Sequence, residues 1–310
     1  MITKKYLFML IALISMTTTQ GCSNNEYALE YSLQTQTTVG EKLVGNTNLF
    51  GHIISDSTYM VTSGVEATEV QYLSQKGLAM KIFIMQVDLS NPALSIGASM
   101  PNNKNSFAMQ RMTLQASHAD TEENKVWAGI NGDFYNMTTG VPQGIVYRNG
   151  TAVKTTFQDA VCTYFAVTHD GKAIVAGQEQ YPDLKDQIKE AVGGRVWLVQ
   201  DGAVVKQTNN TVEPRTSIGV SEDGTQVYIL AVDGRNFHYS NGMSYDELGQ
   251  CLKALGAYNA INLDGGGSTT FFIRNTPDFT DDRFEIRNWP SDNGGDERSV
   301  ANGLLIFSNE

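Results

Sequence analysis

Three runs of apolar, strand-like residues stop at an aspartate beside a glycine: Gly132-Asp133, Asp233-Gly234 and Asp264-Gly265. An Asp-Gly pair is also ordinary turn chemistry, so each gains meaning only from its neighbours. Around the first, Asn131, Asp133, Phe134 and Tyr135 alternate hydrogen-bonding groups with aromatic rings, a pattern suited to a sugar, whose faces stack on rings while its hydroxyls need donors and acceptors. The second is followed by Arg235, and the upstream segment Glu213-Pro214-Arg215 supplies another arginine and another carboxylate. Two guanidinium forks that meet can bind a phosphate in pairs of hydrogen bonds. The third opens Asp264-Gly265-Gly266-Gly267-Ser268-Thr269, where consecutive glycines let backbone amides approach an anion and two hydroxyls add donors. It is neither a Walker loop, since no lysine follows the glycines, nor the dinucleotide fingerprint, whose spacing differs.

These groups act together only if the chain brings them to one rim, so the elements carrying them matter. Alternation is clearest in Ala79 to Val87, and Leu94 to Ala98 reads as a further short strand. Val126 to Ile130 leads into the first aspartate, and Ala260 to Leu263 into the third. Cys162 to Val167 and Ala173 to Val175 flank His169-Asp170-Gly171, and Ser217 to Val220 and Gln226 to Val232 flank Glu222-Asp223-Gly224; both are hairpin signals. The second hairpin sets Arg215 and Arg235 at the same end of the sheet. Leu304 to Phe307 reads as a final strand. Helical spacing appears over Phe107 to His118, with Ser106 as N-cap, and over Ser244 to Leu255, closed by Gly256. The fold class expected is α+β: a mixed, mostly antiparallel sheet with two or three packing helices.

The first residues read as a processing signal. Lys4 and Lys5 precede the apolar run Tyr6 to Met16, which is shorter than the about 20 residues a membrane-spanning helix needs. Thr19-Gln20-Gly21-Cys22 resembles a lipobox, in which Cys22 becomes the lipidated first residue; a plain secretory signal is the alternative. The expected organisation is a signal peptide over 1–21, a lipid-anchored tether and lead-in segment over 22–65, and one domain over 66–310. Localisation follows as the cell envelope, with membrane contact through the lipid alone. A formal net charge of −11 argues against nucleic acid as a partner, since phosphate backbones call for a basic face. Cys162 and Cys251 read as two buried thiols, with a single disulfide as the alternative. The 4 histidines stand in no nucleophile motif.

The colinear set Asn131-Gly132-Asp133-Phe134-Tyr135, Gly193-Gly194 with Trp197-Leu198, Arg215-Thr216-Ser217-Ile218-Gly219, Val232-Asp233-Gly234-Arg235, Asn262-Leu263-Asp264-Gly265-Gly266-Gly267-Ser268-Thr269 and Arg298-Ser299-Val300-Ala301-Asn302 resembles the phosphodiester glycosidase domain family. The resemblance implies hydrolysis of an N-acetylglucosamine-1-phosphate diester. The substrate-binding residues expected are Asn131, Phe134, Tyr135, Arg215, Arg235, Gly265, Gly266, Ser268 and Thr269, from the chemistry above, and Arg298, from the matching motif. The catalytic carboxylates rank Asp264 first, then Glu213 and Asp233, with Asp133 last, because the family pattern often has glycine at that place. In this reading the phosphate meets Arg215, Arg235 and the Gly265 to Ser268 amides, the sugar lies against Phe134 and Tyr135, and a carboxylate faces the anomeric carbon or activates water. It requires both guanidinium groups and the triple-glycine turn to share one region. The partner expected is a phosphodiester-linked glycan, and no cofactor is expected. One alternative is a phosphodiesterase attacking phosphorus with a divalent cation on Asp133, Asp233 and Asp264; another is a non-catalytic glycan-binding lipoprotein.

Overall fold

The computed structural model describes residues 31–275, 282–292 and 294–309. The signal segment, Cys22 and residues 23–30 of the tether therefore lie outside the described residues. Among the described residues, eighteen strands form three sheets. The first runs β1 (Phe50–Thr62), β2 (Val65–Ser74), β3 (Ala79–Asp88), β14 (Gln226–Val232), β13 (Arg215–Val220), β15 (Asn259–Asn262), β11 (Trp197–Gln200) and β12 (Ala203–Val204). The second runs β7 (Thr151–Lys154), β6 (Val146–Arg148), β10 (Ile188–Gly194), β8 (Thr163–Thr168) and β9 (Ala173–Gly177). The third runs β17 (Phe284–Ile286), β16 (Phe271–Arg274), β5 (Lys125–Asn131), β18 (Gly303–Ser308) and β4 (Leu94–Ser99).

Sheets dominate and helices are few: α1 (Thr38–Asn46), α2 (Met112–Ala119), α3 (Tyr181–Leu184) and α4 (Tyr245–Leu255) are the four α-helices among the described residues. The pairings that build the three sheets are antiparallel, as in β3 with β14 and β5 with β18. Among the described residues no helix is long and apolar enough to cross a membrane. Cys162 and Cys251 are buried free thiols.

Inner faces of all three sheets meet in one core, to which Phe83, Ile130, Phe165, Val192, Ile229, Ile261 and Leu304 contribute. Each such side chain stabilises the fold by roughly 1.5–3 kcal/mol through removal from water. On the outer face of the first sheet, Val39 and Leu43 of α1 pack with Leu248, Leu252 and Leu255 of α4. Ser244 caps α4 reciprocally with Glu247, and Gly256 closes it at φ 118°, where a Cβ would strain the backbone. Folded structure begins before Glu69, where alternation becomes legible: the buried Asp56 of β1 accepts from the Gln36 and Thr37 amides and orients the Thr37 cap of α1. That strand hides its period because it lies at the sheet edge and carries register shifts. The α2 helix also starts later than the spacing predicts, at Met112 with Arg111 as N-cap, because Gln110 exchanges two backbone bonds with Val300 and is held extended.

Antiparallel register is what makes a site. Asn131 at the end of β5 faces Gly303 at the start of β18, and Ile130 faces Phe271 at the start of β16. In the first sheet, Arg215 at the start of β13 faces Val232 at the end of β14, while Ser217 faces Asn262 at the end of β15. Strand ends distant in sequence thus become neighbours.

Candidate active site

Asp133, just past β5, is 1% exposed and sits in a cradle of glycines. Its Oδ2 accepts from the Gly144 amide at 2.6 Å, and its own amide donates to Asn302 Oδ1 at 2.9 Å. A Cβ on Gly193, in β10, would fall inside the Asp133 carboxylate, and one on Gly144 would stand 2.7 Å from the Gly193 Cα. Gly193 of the Gly193-Gly194 motif is thereby explained as room for a carboxyl group, and Gly194 as room for Ile261 and the Asn262 carbonyl. Burial pushes the Asp133 carboxyl from 3.8 up to about 7; the Gly144 amide opposes this, while the nearby Asp264 charge adds to it. Its Oδ1 and the Nδ2 of Asn302 are buried with no hydrogen-bond partner among the described residues.

Asp264 follows β15 directly and is half-buried. Its amide donates to Gly132 O at 2.8 Å, and Asn131 Nδ2 donates to its carbonyl at 2.7 Å, so β5 fixes the turn that carries it. Burial raises the Asp264 carboxyl from 3.8 to about 6, against the lowering effect of the Ser268 hydroxyl, the Gly265 amide and the Arg298 charge. Two carboxyl groups with raised proton affinity therefore stand beside one another at the meeting of β5 and β15. Such displaced titration is a common mark of a functional site.

A chain of alternating charges borders this pair. Glu213 Oε2 accepts from Arg235 Nε at 2.7 Å, and Arg235 Nη1 reaches Asp292 Oδ1 at 3.1 Å. Asp292 also pairs with Arg298, and Arg298 Nη1 donates to Ser268 Oγ at 3.2 Å. The triple-glycine turn lies against this chain. A Cβ on Gly266 would meet the Arg235 guanidinium at 3.0 Å, and one on Gly267 would overlap the Asp292 carboxylate. Gly266 is also at φ +60°, a left-handed conformation that favours glycine.

The expected convergence holds for Arg235 and the glycine turn but not for Arg215. That guanidinium donates from Nε to Met243 O at 3.2 Å and from Nη2 to Thr211 O at 3.0 Å, and stacks 4.1 Å from the Tyr245 ring centre. Buried beside backbone carbonyls and an aromatic face, it secures the approach to α4, and Arg298 stands at the turn as the second cation. The anion nest is also altered, because the Gly265 amide donates to Asp264 Oδ1, the Gly266 amide to Pro214 O, and the Ser268 amide closes the turn onto Gly265 O.

Several other expected site residues have structural occupations. Asp233 is 1% exposed and accepts from the Trp289 amide and Asn288 Nδ2, while burial raises its carboxyl from 3.8 to about 6. It anchors the 288–289 turn, so the trio Asp133, Asp233 and Asp264 is not gathered on one centre, and among the described residues no group of three or more His, Cys, Asp or Glu is placed to hold a metal ion. Asn131 Oδ1 accepts from Thr216 Oγ1 and the Thr270 amide, tying β5 to β13 and to the residue that leads into β16. Tyr135 packs in the core with its hydroxyl on Ser299 O at 2.9 Å, and Phe134 lies under the Arg195 guanidinium at 5.8 Å. Glu213, half-exposed, is paired with Arg235. Ser268 and Thr269 are buried in the turn, and Thr269 Oγ1 has no hydrogen-bond partner among the described residues. Sequence reasoning passed over Asp292 and did not give Asn302 a role. Asn302 ends the last motif quoted above; Asp292 stands in a polar stretch with no signal of its own.

Comparison with known proteins converges on this region. The family described as phosphodiester glycosidase matches residues 124–307. The N-acetylglucosamine-1-phosphodiester alpha-N-acetylglucosaminidase of Mus musculus is 29% identical over 189 residues, 52% of this chain and 35% of that protein. The Homo sapiens protein of the same name is 27% identical over 168 residues, covering 47% of this chain and 32% of its own length. This chain thus spans about a third of those relatives. Among solved structures, the zebrafish N-acetylglucosamine-1-phosphodiester alpha-N-acetylglucosaminidase catalytic domain superposes with a TM-score of 0.61 at 19% identity, covering 81% of this chain and 87% of that one. A hypothetical protein from Synechocystis superposes with a TM-score of 0.58 at 15% identity over 82% of this chain and 64% of that one. At such identities the superpositions establish a shared fold.

Proposed function

The chain belongs to the phosphodiester glycosidase family, and from that premise we propose that it hydrolyses the bond between a sugar's anomeric carbon and a phosphodiester. The observation that carries this reading is the adjacency of two carboxyl groups whose titration is raised toward neutrality, Asp133 and Asp264, to the Arg235 and Arg298 cations at one glycine turn. Scission of the C1–O bond leaves negative charge on the departing phosphomonoester and positive charge on the anomeric carbon. Arg235 and Arg298 stabilise the first, fixed in place before reaction begins. The Asp264 carboxylate stabilises the second. A phosphomonoester departs without help from a strong acid, so the remaining task is to activate water. Asp133, buried and titrating near neutrality, is suited to take that proton. Its unpartnered Oδ1 and the Asn302 Nδ2 offer an acceptor and a donor to the water.

The substrate class proposed is an N-acetylglucosamine-1-phosphodiester-like glycan, supported by the activity for which the mouse and human relatives are named. Hydrolysis of such a diester in ¹⁸O-water tests the bond cleaved: label in the free sugar supports glycosidase chemistry, and label in the phosphomonoester overturns it. We also propose export and lipid anchoring through Cys22 at the cell envelope, supported by the leader pattern. Mass spectrometry of membrane-extracted protein should find acyl chains on Cys22, and an unmodified residue there overturns that assignment.

A further inference from the structure

We propose that Asp292 is an internal anion occupying the phosphate subsite, so that substrate binds by displacing its carboxylate from between Arg235 and Arg298. This rests on the glycosidase reading and names how its anion subsite is kept. A carboxylate and a phosphate compete for the same guanidinium geometry, since both offer paired oxygens to paired N–H donors. Asp292 bridges the two arginines with one oxygen each: Oδ1 lies 3.1 Å from Arg235 Nη1, and Oδ2 pairs with Arg298 Nη2. Its position is that of a ligand rather than of a surface partner. The carboxyl group rests where a Cβ on Gly267 would be, and Arg298 continues through Ser268 to Asp264.

The segment bearing Asp292 is anchored just upstream and approaches the turn from outside. Asn288 donates to Thr269 O at 3.0 Å and accepts from the Phe271 amide at 2.7 Å, while the Trp289 amide is held by Asp233. Pro290 is buried beyond that anchor, whereas the groups around the ion pairs reach solvent: Trp289 is 50% exposed, and the Arg235 and Asp292 side chains are 46% and 30% exposed. Displacing the carboxylate therefore places it in water and breaks no apolar packing, and the incoming phosphate satisfies both arginines. Without an anion between them, two guanidinium groups sharing one position would repel. The internal carboxylate keeps the cations in place and excludes weakly binding anions.

Such an occupant lowers the apparent affinity for any external anion by the fraction of time the subsite is free. The test titrates inorganic phosphate into the full protein by calorimetry, with no turnover required. Asp292→Asn is expected to bind phosphate roughly tenfold or more tightly than the unchanged protein, and Arg298→Gln added to Asp292→Asn is expected to remove the gain. Equal or weaker binding by Asp292→Asn overturns the proposal. A measurement on the unchanged protein covers the case in which that variant does not fold: phosphate titration should produce a saturable change in Trp289 fluorescence, read against Trp289→Phe. No such change at saturating phosphate overturns the proposal as well. If Asp292→Asn binds phosphate more tightly while no glycosyl phosphodiester is cleaved, the subsite stands and the glycosidase reading falls. If cleavage occurs and phosphate affinity is indifferent to Asp292, only the displacement falls.

Discussion

Asp133→Asn should make the protein more stable and less active, by an amount that depends on pH. In the unfolded chain the carboxyl titrates near 3.8, whereas in the fold burial, aided by the Asp264 charge, raises it to about 7. Between those values the native state binds the proton that the unfolded state has released, so native stability falls as pH rises and the loss is complete above about 7. At ~1.4 kcal/mol for each pH unit in that interval, the ionised carboxyl costs the fold about 4 kcal/mol in alkaline solution and nothing below about pH 4. Asparagine has the same shape, fits between Gly144 and Gly193, and still accepts from the Gly144 amide. Its new N–H₂ needs an acceptor, which offsets about 1 kcal/mol. Urea unfolding at several pH values should then show the variant about 3 kcal/mol more stable than the unchanged protein at pH 8 and no more stable at pH 4. Its hydrolytic rate should fall by roughly a hundredfold or more, as for loss of a general base. A stability difference that is flat across pH, or that favours the carboxylate at pH 8, would refute the view of Asp133 as a charge buried at a cost for the sake of function.

Other outcomes follow from the same geometry. Asp264→Asn should abolish most hydrolysis and move the Asp133 titration, read by carbon NMR, downward from about 7 because the raising effect of the neighbouring charge is gone. The rate of the unchanged enzyme should rise with pH through about 6 to 7 as Asp264 and Asp133 lose protons and stay level above; a fall on the alkaline side would show that one of them must be protonated to act. Gly193→Ala, which drives a methyl group into the Asp133 carboxylate, should cost about 1–3 kcal/mol in denaturant unfolding and lower the rate with it. Arg215→Gln should destabilise by roughly 1–3 kcal/mol through its lost carbonyl bonds while leaving phosphate affinity unchanged. Arg235→Gln should do the reverse, raising KM with under about 1 kcal/mol of stability lost, because its pairs are half-exposed.

Local chemistry was legible in the residues themselves. Asp264, Arg235 and the triple-glycine turn stand out by type and neighbours, Arg298 enters through the motif resemblance, and these residues do gather. The α4 helix was readable from its leucine spacing and closing glycine, because those signals act within a few residues of one another. Partner choice was not readable, since it depends on which strand ends the antiparallel register brings together. Arg215 and Arg235 look equivalent along the chain, yet one is turned onto Met243 O and Tyr245 and the other onto Glu213 and Asp292. Asp233 and Asp133 each adjoin a glycine at a strand end, yet the first is occupied by the Trp289 amide and the second keeps an oxygen unpaired among the described residues. A charge's role is set by the dielectric and the donors around it, and those come from residues far away in sequence, which only the folded chain brings within reach.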